Sequence, residues 1–88
     1  MVCINTHRTN LKVTHFVEIP SLSCVMATAR EDDSRRAKLF LVERNTNNVY
    51  WRKGINDSWI SERREHIRNL LTESLIDSTI PHYTTKLN

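Results

Sequence analysis

Cys3, His7, His15 and Cys24 are the side chains in this sequence best suited to holding a metal ion. Thiolate and imidazole are the usual tetrahedral donors to zinc. Their spacings match no zinc-finger pattern, however. His15 falls in step with Leu11, Val13, Val17 and Ile19 on an alternating segment, and Cys24 lies among apolar neighbours. Both read as core or core-edge residues, so no metal ligand is assigned. With no secretory signal ahead of them, the two cysteines are expected as reduced thiols.

A second cluster, Glu62, Glu65 and His66, sits where helical periodicity begins, and a spacing of four would let Glu62 meet His66. Metalloprotease helices need two histidines at that spacing, and here the partner is an acid. The cluster reads as a solvated helix face. Gly54 is the only glycine, which leaves no glycine-rich phosphate loop and no dinucleotide fingerprint. Ser, His, Asp and Cys occur, but none in a nucleophile elbow or catalytic signature. No catalytic residue, cofactor site or small-molecule substrate is expected.

The strongest remaining chemistry is basic. Arg30, Arg35, Arg36, Lys38, Arg44, Arg52, Lys53, Arg63, Arg64 and Arg68 accompany Tyr50, Trp51 and Trp59, a mixture suited to phosphates and stacked bases. The same stretch holds Glu31, Asp32, Asp33, Glu43, Asp57, Glu62 and Glu65, which oppose a phosphate backbone unless the signs separate in space. Arg52, Lys53, Arg63, Arg64 and Arg68 are the expected contacts if DNA or RNA is bound.

The elements that must position these residues are those of one small domain. The chain has 88 residues, is 39% hydrophobic and 26% charged, and carries a net charge of +3. A chain this short buries only about 60–65% of its unfolded surface, so it has little room for a deep cavity. Its longest apolar runs, Leu39 to Val42 and Cys24 to Ala27, fall far short of the roughly 20 residues that cross a bilayer. The expectation is an intracellular, cytoplasmic protein, with the nucleus left open.

Alternation predicts a strand over 11–19 and, after Pro20 and Ser21, a second over 22–29. The charged run 30–36 reads as an exposed connection. Segments 37–44 and 49–53 should form a hairpin through Asn45-Thr-Asn-Asn48, with Val42 opposite Trp51 and Phe40 opposite Lys53. Asp57, Ser58 or Ser61 can cap a helix whose apolar stripe is Ile60, Ile67, Leu70, Leu71 and Leu75, running to about Ile76. Pro81 stops it. Residues 10–81 form the expected folded core and 82–88 a loose tail. The fold class is α+β, a small antiparallel meander of about four strands packed on one C-terminal helix.

The hairpin register puts Phe40, Val42 and Trp51 on one face with Ile67, Leu71 and Leu75 over them. It turns Leu39, Leu41, Glu43, Tyr50 and Arg52 the other way, with Glu43 and Arg52 near enough to pair diagonally. That second face is the expected protein interface, because a soluble monomer seldom leaves such a patch bare; the alternative is that the N-terminal segment or the tail through Tyr83 and Leu87 folds over it within the same chain. The sequence therefore points to a non-enzymatic binding protein, a homodimeric regulator or an inhibitor docking on a larger partner. The alternative is a small basic nucleic-acid-binding protein.

Overall fold

Apolar side chains at alternate positions need a sheet to bury them, and the computed structural model supplies one. It describes residues 10–31, 35–54, 56–76 and 82–84. In chain order the elements are β1 (Leu11–Ile19), a 3-10 turn (Pro20–Leu22), β2 (Cys24–Glu31), β3 (Lys38–Glu43), β4 (Val49–Arg52), β5 (Ile60–Ser61), α1 (Glu65–Ser74) and β6 (His82–Thr84). They make one open sheet in the order β5-β4-β3-β2-β1-β6. The first five strands are antiparallel to their neighbours, and β6 lies parallel to β1. The class is α+β, with a single α-helix among the described residues, towards the C-terminal end. Residues 82–84, expected in the tail, thus extend the sheet.

The core is built in rows across the strands. Phe16 stands opposite Ala27, Ala27 opposite Phe40, and Phe40 opposite Trp51. A second row sets Val25, Val42 and Val49 side by side. Ala27 and Ala29 of β2 are wholly buried in one cluster with Ile67 and Leu71 of α1. Trp51 and Leu75 pack at the margin of this cluster. Phe40, Val42, Trp51, Ile67, Leu71 and Leu75 therefore share one core, as the alternation implied.

The hairpin register differs from expectation. Val42, not Arg44, pairs with Val49, and Phe40 pairs with Trp51. The turn is longer: Asn47 takes a left-handed φ of 57°, and its amide donates to Glu43 O at 2.9 Å. Thr46 Oγ1 donates to the Glu43 carboxylate, and the Arg44 amide donates to Ser23 O in the neighbouring turn. The shift is two residues, and a strand has a side-chain period of two, so every side chain keeps its face.

β1 carries a bulge between Val13 and His15. Thr14 is the extra residue, and its hydroxyl donates to Thr28 O at 3.0 Å across the interrupted ladder. One inserted residue reverses the alternation. Leu11 and Val13 therefore join Phe16 against the core, whereas His15, Val17 and Ile19 turn to the other face. The alternation had put Leu11, Val13, His15, Val17 and Ile19 together, because a bulge leaves no trace in apolar spacing.

The helix starts later than its apolar stripe suggested. Trp51 pairs with Ile60 and Tyr50 with Ser61, and the Glu62 amide donates to Val49 O at 2.7 Å. Those ladder bonds hold 60–62 on the sheet edge, so helical geometry begins only after Arg64. Asp57, Ser58 and Ser61 consequently cap nothing, and Arg64 takes the N-cap position without a side-chain cap bond.

Candidate functional site

The face turned away from α1 is built by alternation from the core rows. Between Phe40 and Val42 stands Leu41, and between Val49 and Trp51 stands Tyr50. Register carries the row onward, Val17 beside Met26, Met26 beside Leu41, and Leu41 beside Tyr50. These four side chains make an apolar row across four strands, each partly exposed. On one side of it runs a mixed row of His15, Thr28, Leu39 and Arg52. On the other runs Ile19, Cys24 and Glu43. The helix packs on the opposite face; on this one Ile19 and Cys24 are buried, while the central row stays partly exposed.

Expected interface residues Leu39, Leu41, Glu43, Tyr50 and Arg52 are thus brought to one surface. Sequence reasoning missed Val17 and Met26, which complete the apolar row. Met26 was legible from its place between Val25 and Ala27, and Val17 was hidden by the bulge. One detail of the expectation is corrected. Arg52 stands opposite Leu39, so it lies four positions, about 13 Å, from the level of Glu43 along the strands. The two do not pair diagonally. Instead the Arg52 guanidinium lies 4.5 Å from the centroid of the Trp59 ring.

The acids and bases of the helix side are used differently. Glu62 is 4% exposed, the one buried charged residue among those described. Its carboxylate accepts from Arg64 three times, from the amide at 3.1 Å, from Nε at 2.7 Å and from Nη2 at 2.9 Å. Arg64 Nη2 also donates to Glu31 Oε1 at 2.7 Å, and Lys38 Nζ donates to Glu31 Oε2 at 2.8 Å. Lys38 Nζ in turn lies 4.8 Å from the Trp51 ring centroid. This clasp ties the end of β2, the start of β3 and the segment leading into α1. Burial pushes the Glu31 carboxyl up, but hydrogen bonds from Lys38 and Arg64 outweigh it and hold the group below its ordinary range. The bonds to Glu62 and, behind them, Glu31 raise Arg64 further, against the opposing effect of burial.

The five residues expected to meet nucleic acid do not form one surface. Arg64 is committed to the clasp, and Arg52 faces away from the helix. Lys53 and Arg63 are exposed. Arg68 stands on α1 beside an open hollow of about 260 Å³ lined with Asn47, Glu65, Asn69 and Thr72. Glu62 and His66 do not meet, because Glu62 precedes the helix and spends its oxygens on Arg64. His66 Nε2 is buried without a hydrogen-bond partner among the described residues.

For metal, Cys3 and His7 lie outside the described residues. His15 bonds through Nδ1 to the Thr14 hydroxyl at 3.2 Å and through Nε2 to the Thr28 hydroxyl at 3.1 Å. Cys24 pairs with Ile19, four positions further along β1, so it lies about 13 Å from the His15 level. One ion cannot bind both. Burial, then the charge of Glu43, raises the pKa of the Cys24 thiol, which works against thiolate chemistry. Among the described residues no three potential ligands converge.

Four surface hollows among the described residues hold about 190 to 260 Å³ and are open, below the roughly 300 Å³ of an ordinary small-molecule pocket. No helix among the described residues is long and apolar enough to cross a membrane. In comparisons with known proteins, no family model, no curated protein and no solved structure matches this chain.

Proposed function

We propose that this is a non-enzymatic binding protein whose working surface is the sheet face opposite α1, and that it docks another protein chain there. The observation that carries the reading is the apolar row Val17, Met26, Leu41 and Tyr50, left partly exposed across four strands with charged residues at its margins. An apolar centre with a polar rim is the anatomy of a protein contact. The shallow hollows and the commitment of Glu62 and Arg64 to each other add support, because they leave no enclosed cavity with a poised acid or base among the described residues.

A photoreactive residue at position 41, expressed in the native host, is expected to yield a discrete protein adduct, whereas one at Asn69 on the exposed side of α1 is expected to yield none. Equal labelling from both positions, or none from position 41, would sink the reading.

Nucleic acid is the second reading, and one observation favours it: Arg52 stacked on Trp59 sets a cation and an indole beside Tyr50 on the same face. Lys12 and Arg30, exposed and paired across β1 and β2, lie further along that face. The phosphate contacts on this reading are Lys12, Arg30, Arg52 and Lys53, not the helix arginines. Nucleotide-containing adducts from position 41, with binding that falls steeply as salt rises, are its expected result.

A further inference from the structure

The three rows of the open face differ in charge along the strand direction. The central row, Val17, Met26, Leu41 and Tyr50, is apolar. The flanking row toward the start of β3 carries Arg52, and the flanking row toward its end carries Glu43. Such a face complements its own copy when the copy is turned end for end.

Resting on the binding reading above, we infer that the occupant of this face is a second copy of the same chain, related by a two-fold axis that runs along the central row. Rotation about that axis lays the apolar row on itself. It brings the Arg52 end of each protomer over the Glu43 end of the other, so both pairs form at once, on neighbouring strands about 4.8 Å apart. Two sheets packed this way sit about 10 Å apart, within reach of an arginine and a glutamate extended toward each other. A two-fold axis running along the strands instead would lay each end on its like and leave both charges opposed to nothing. The strand twist turns the sheets by about 30° without changing which end meets which.

The size of the face sets the strength. Four strands of about six residues cover roughly 19 by 20 Å, about 380 Å² on each protomer and about 760 Å² in all, below the roughly 1,000 Å² of a stable specific contact. A weak, reversible dimer follows, not an obligate one.

Sedimentation velocity on the purified full chain, from low micromolar to several hundred micromolar, reads the equilibrium. Glu43→Arg and Arg52→Glu are each expected to weaken dimerisation about tenfold, because each sets like charges against one another. Mixed in equal amounts, the two variants are expected to form a heterodimer at the unmutated strength. In that pairing the introduced arginine of one protomer meets the introduced glutamate of the other, and the two unaltered side chains, Arg52 and Glu43, meet as before. Circular dichroism melts confirm that each variant is folded, and the mixing result is one that a merely unfolded variant cannot give. An unmutated chain that stays monomeric throughout the range overturns the inference. So does a dimer that ignores both charge changes, or single variants that fail to rescue one another. In each of those cases adducts from position 41 in the host still speak for a foreign protein partner, so the broader reading stands or falls separately.

Discussion

Removing Arg64 is expected to destabilise the fold more than removing Glu62 does, and removing both is expected to be milder than removing Arg64 alone. The side chain of Glu62 is 2% exposed, and Arg64 supplies all three of its hydrogen bonds given above. Arg64→Ala leaves that carboxylate buried with only the backbone amide as donor, a loss of about 3–5 kcal/mol for breaking a buried pair. Arg64 is different, because its side chain is 37% exposed and it keeps Glu31 as a partner. Glu62→Met therefore costs only the charge-assisted bonds, about 1.5–3 kcal/mol, partly offset by the apolar packing that a methionine of similar shape supplies. In the double variant no charge is stranded at position 62, which leaves about 2–3 kcal/mol. Urea denaturation at low salt, at pH 7, measures all four proteins without screening the ions. The sharp outcome is the sign of Glu62→Met in the Arg64→Ala background, which should be stabilising. If that change destabilises the Arg64→Ala protein further, the clasp is not the reason Arg64 is there.

Two further outcomes follow from the same geometry. Hydrogen bonds from Lys38 and Arg64 depress the Glu31 carboxyl, so its contribution is fully present above the ordinary glutamate value of 4.5 and is lost as pH falls through the lower folded value. Urea midpoints should fall below about pH 4.5, and Glu31→Gln should flatten that part of the profile while leaving a lower, level plateau; an unchanged acid limb in the variant would show that other carboxylates set it. Trp51→Ala removes an aromatic at the edge of the core row beside Phe40 and should cost about 3 kcal/mol, the low end for such truncations because Trp51 is only partly buried. A cooperative melt left unshifted would reject its place in the core.

Period-two alternation survives errors that an exact register does not. Placing the β3–β4 pairing two residues off left Phe40, Val42 and Trp51 correctly together, and left Leu39, Leu41, Glu43, Tyr50 and Arg52 together on the other side. The Glu43–Arg52 pairing failed because it depended on the register and not on the face. The bulge at Thr14 is the opposite case. A single inserted residue moved His15 and Val17 from the apparent core to the open face, and its signature is a threonine hydroxyl reaching a carbonyl on another strand, which no window of sequence displays. The helix boundary misled for a related reason. Ile60 has the right spacing for α1, but a hydrogen-bonded partner on β4 outweighs helical propensity at a sheet edge. The clasp was invisible because Glu31 and Arg64 are 33 residues apart in sequence.

The placement of charge bears directly on how the two binding readings are to be separated. From composition alone, the acids interleaved with the arginines argued against a polyanion, since signs had to separate in space before a phosphate backbone could approach. Folding does separate some of them. Glu31 and Glu62 are absorbed with Lys38 and Arg64 on the helix side, and Glu18 is taken up by Arg44. The charged side chains of the open face are Lys12, Arg30, Arg52 and Glu43. A phosphate backbone would use the three cations and be repelled by the glutamate, whereas a protein partner built like this chain would use Arg52 and Glu43 together. Glu43→Gln therefore moves the readings in opposite directions. It strengthens binding of a single-stranded oligonucleotide at low salt if the face is a nucleic-acid platform, and it weakens self-association if the face is a two-fold contact.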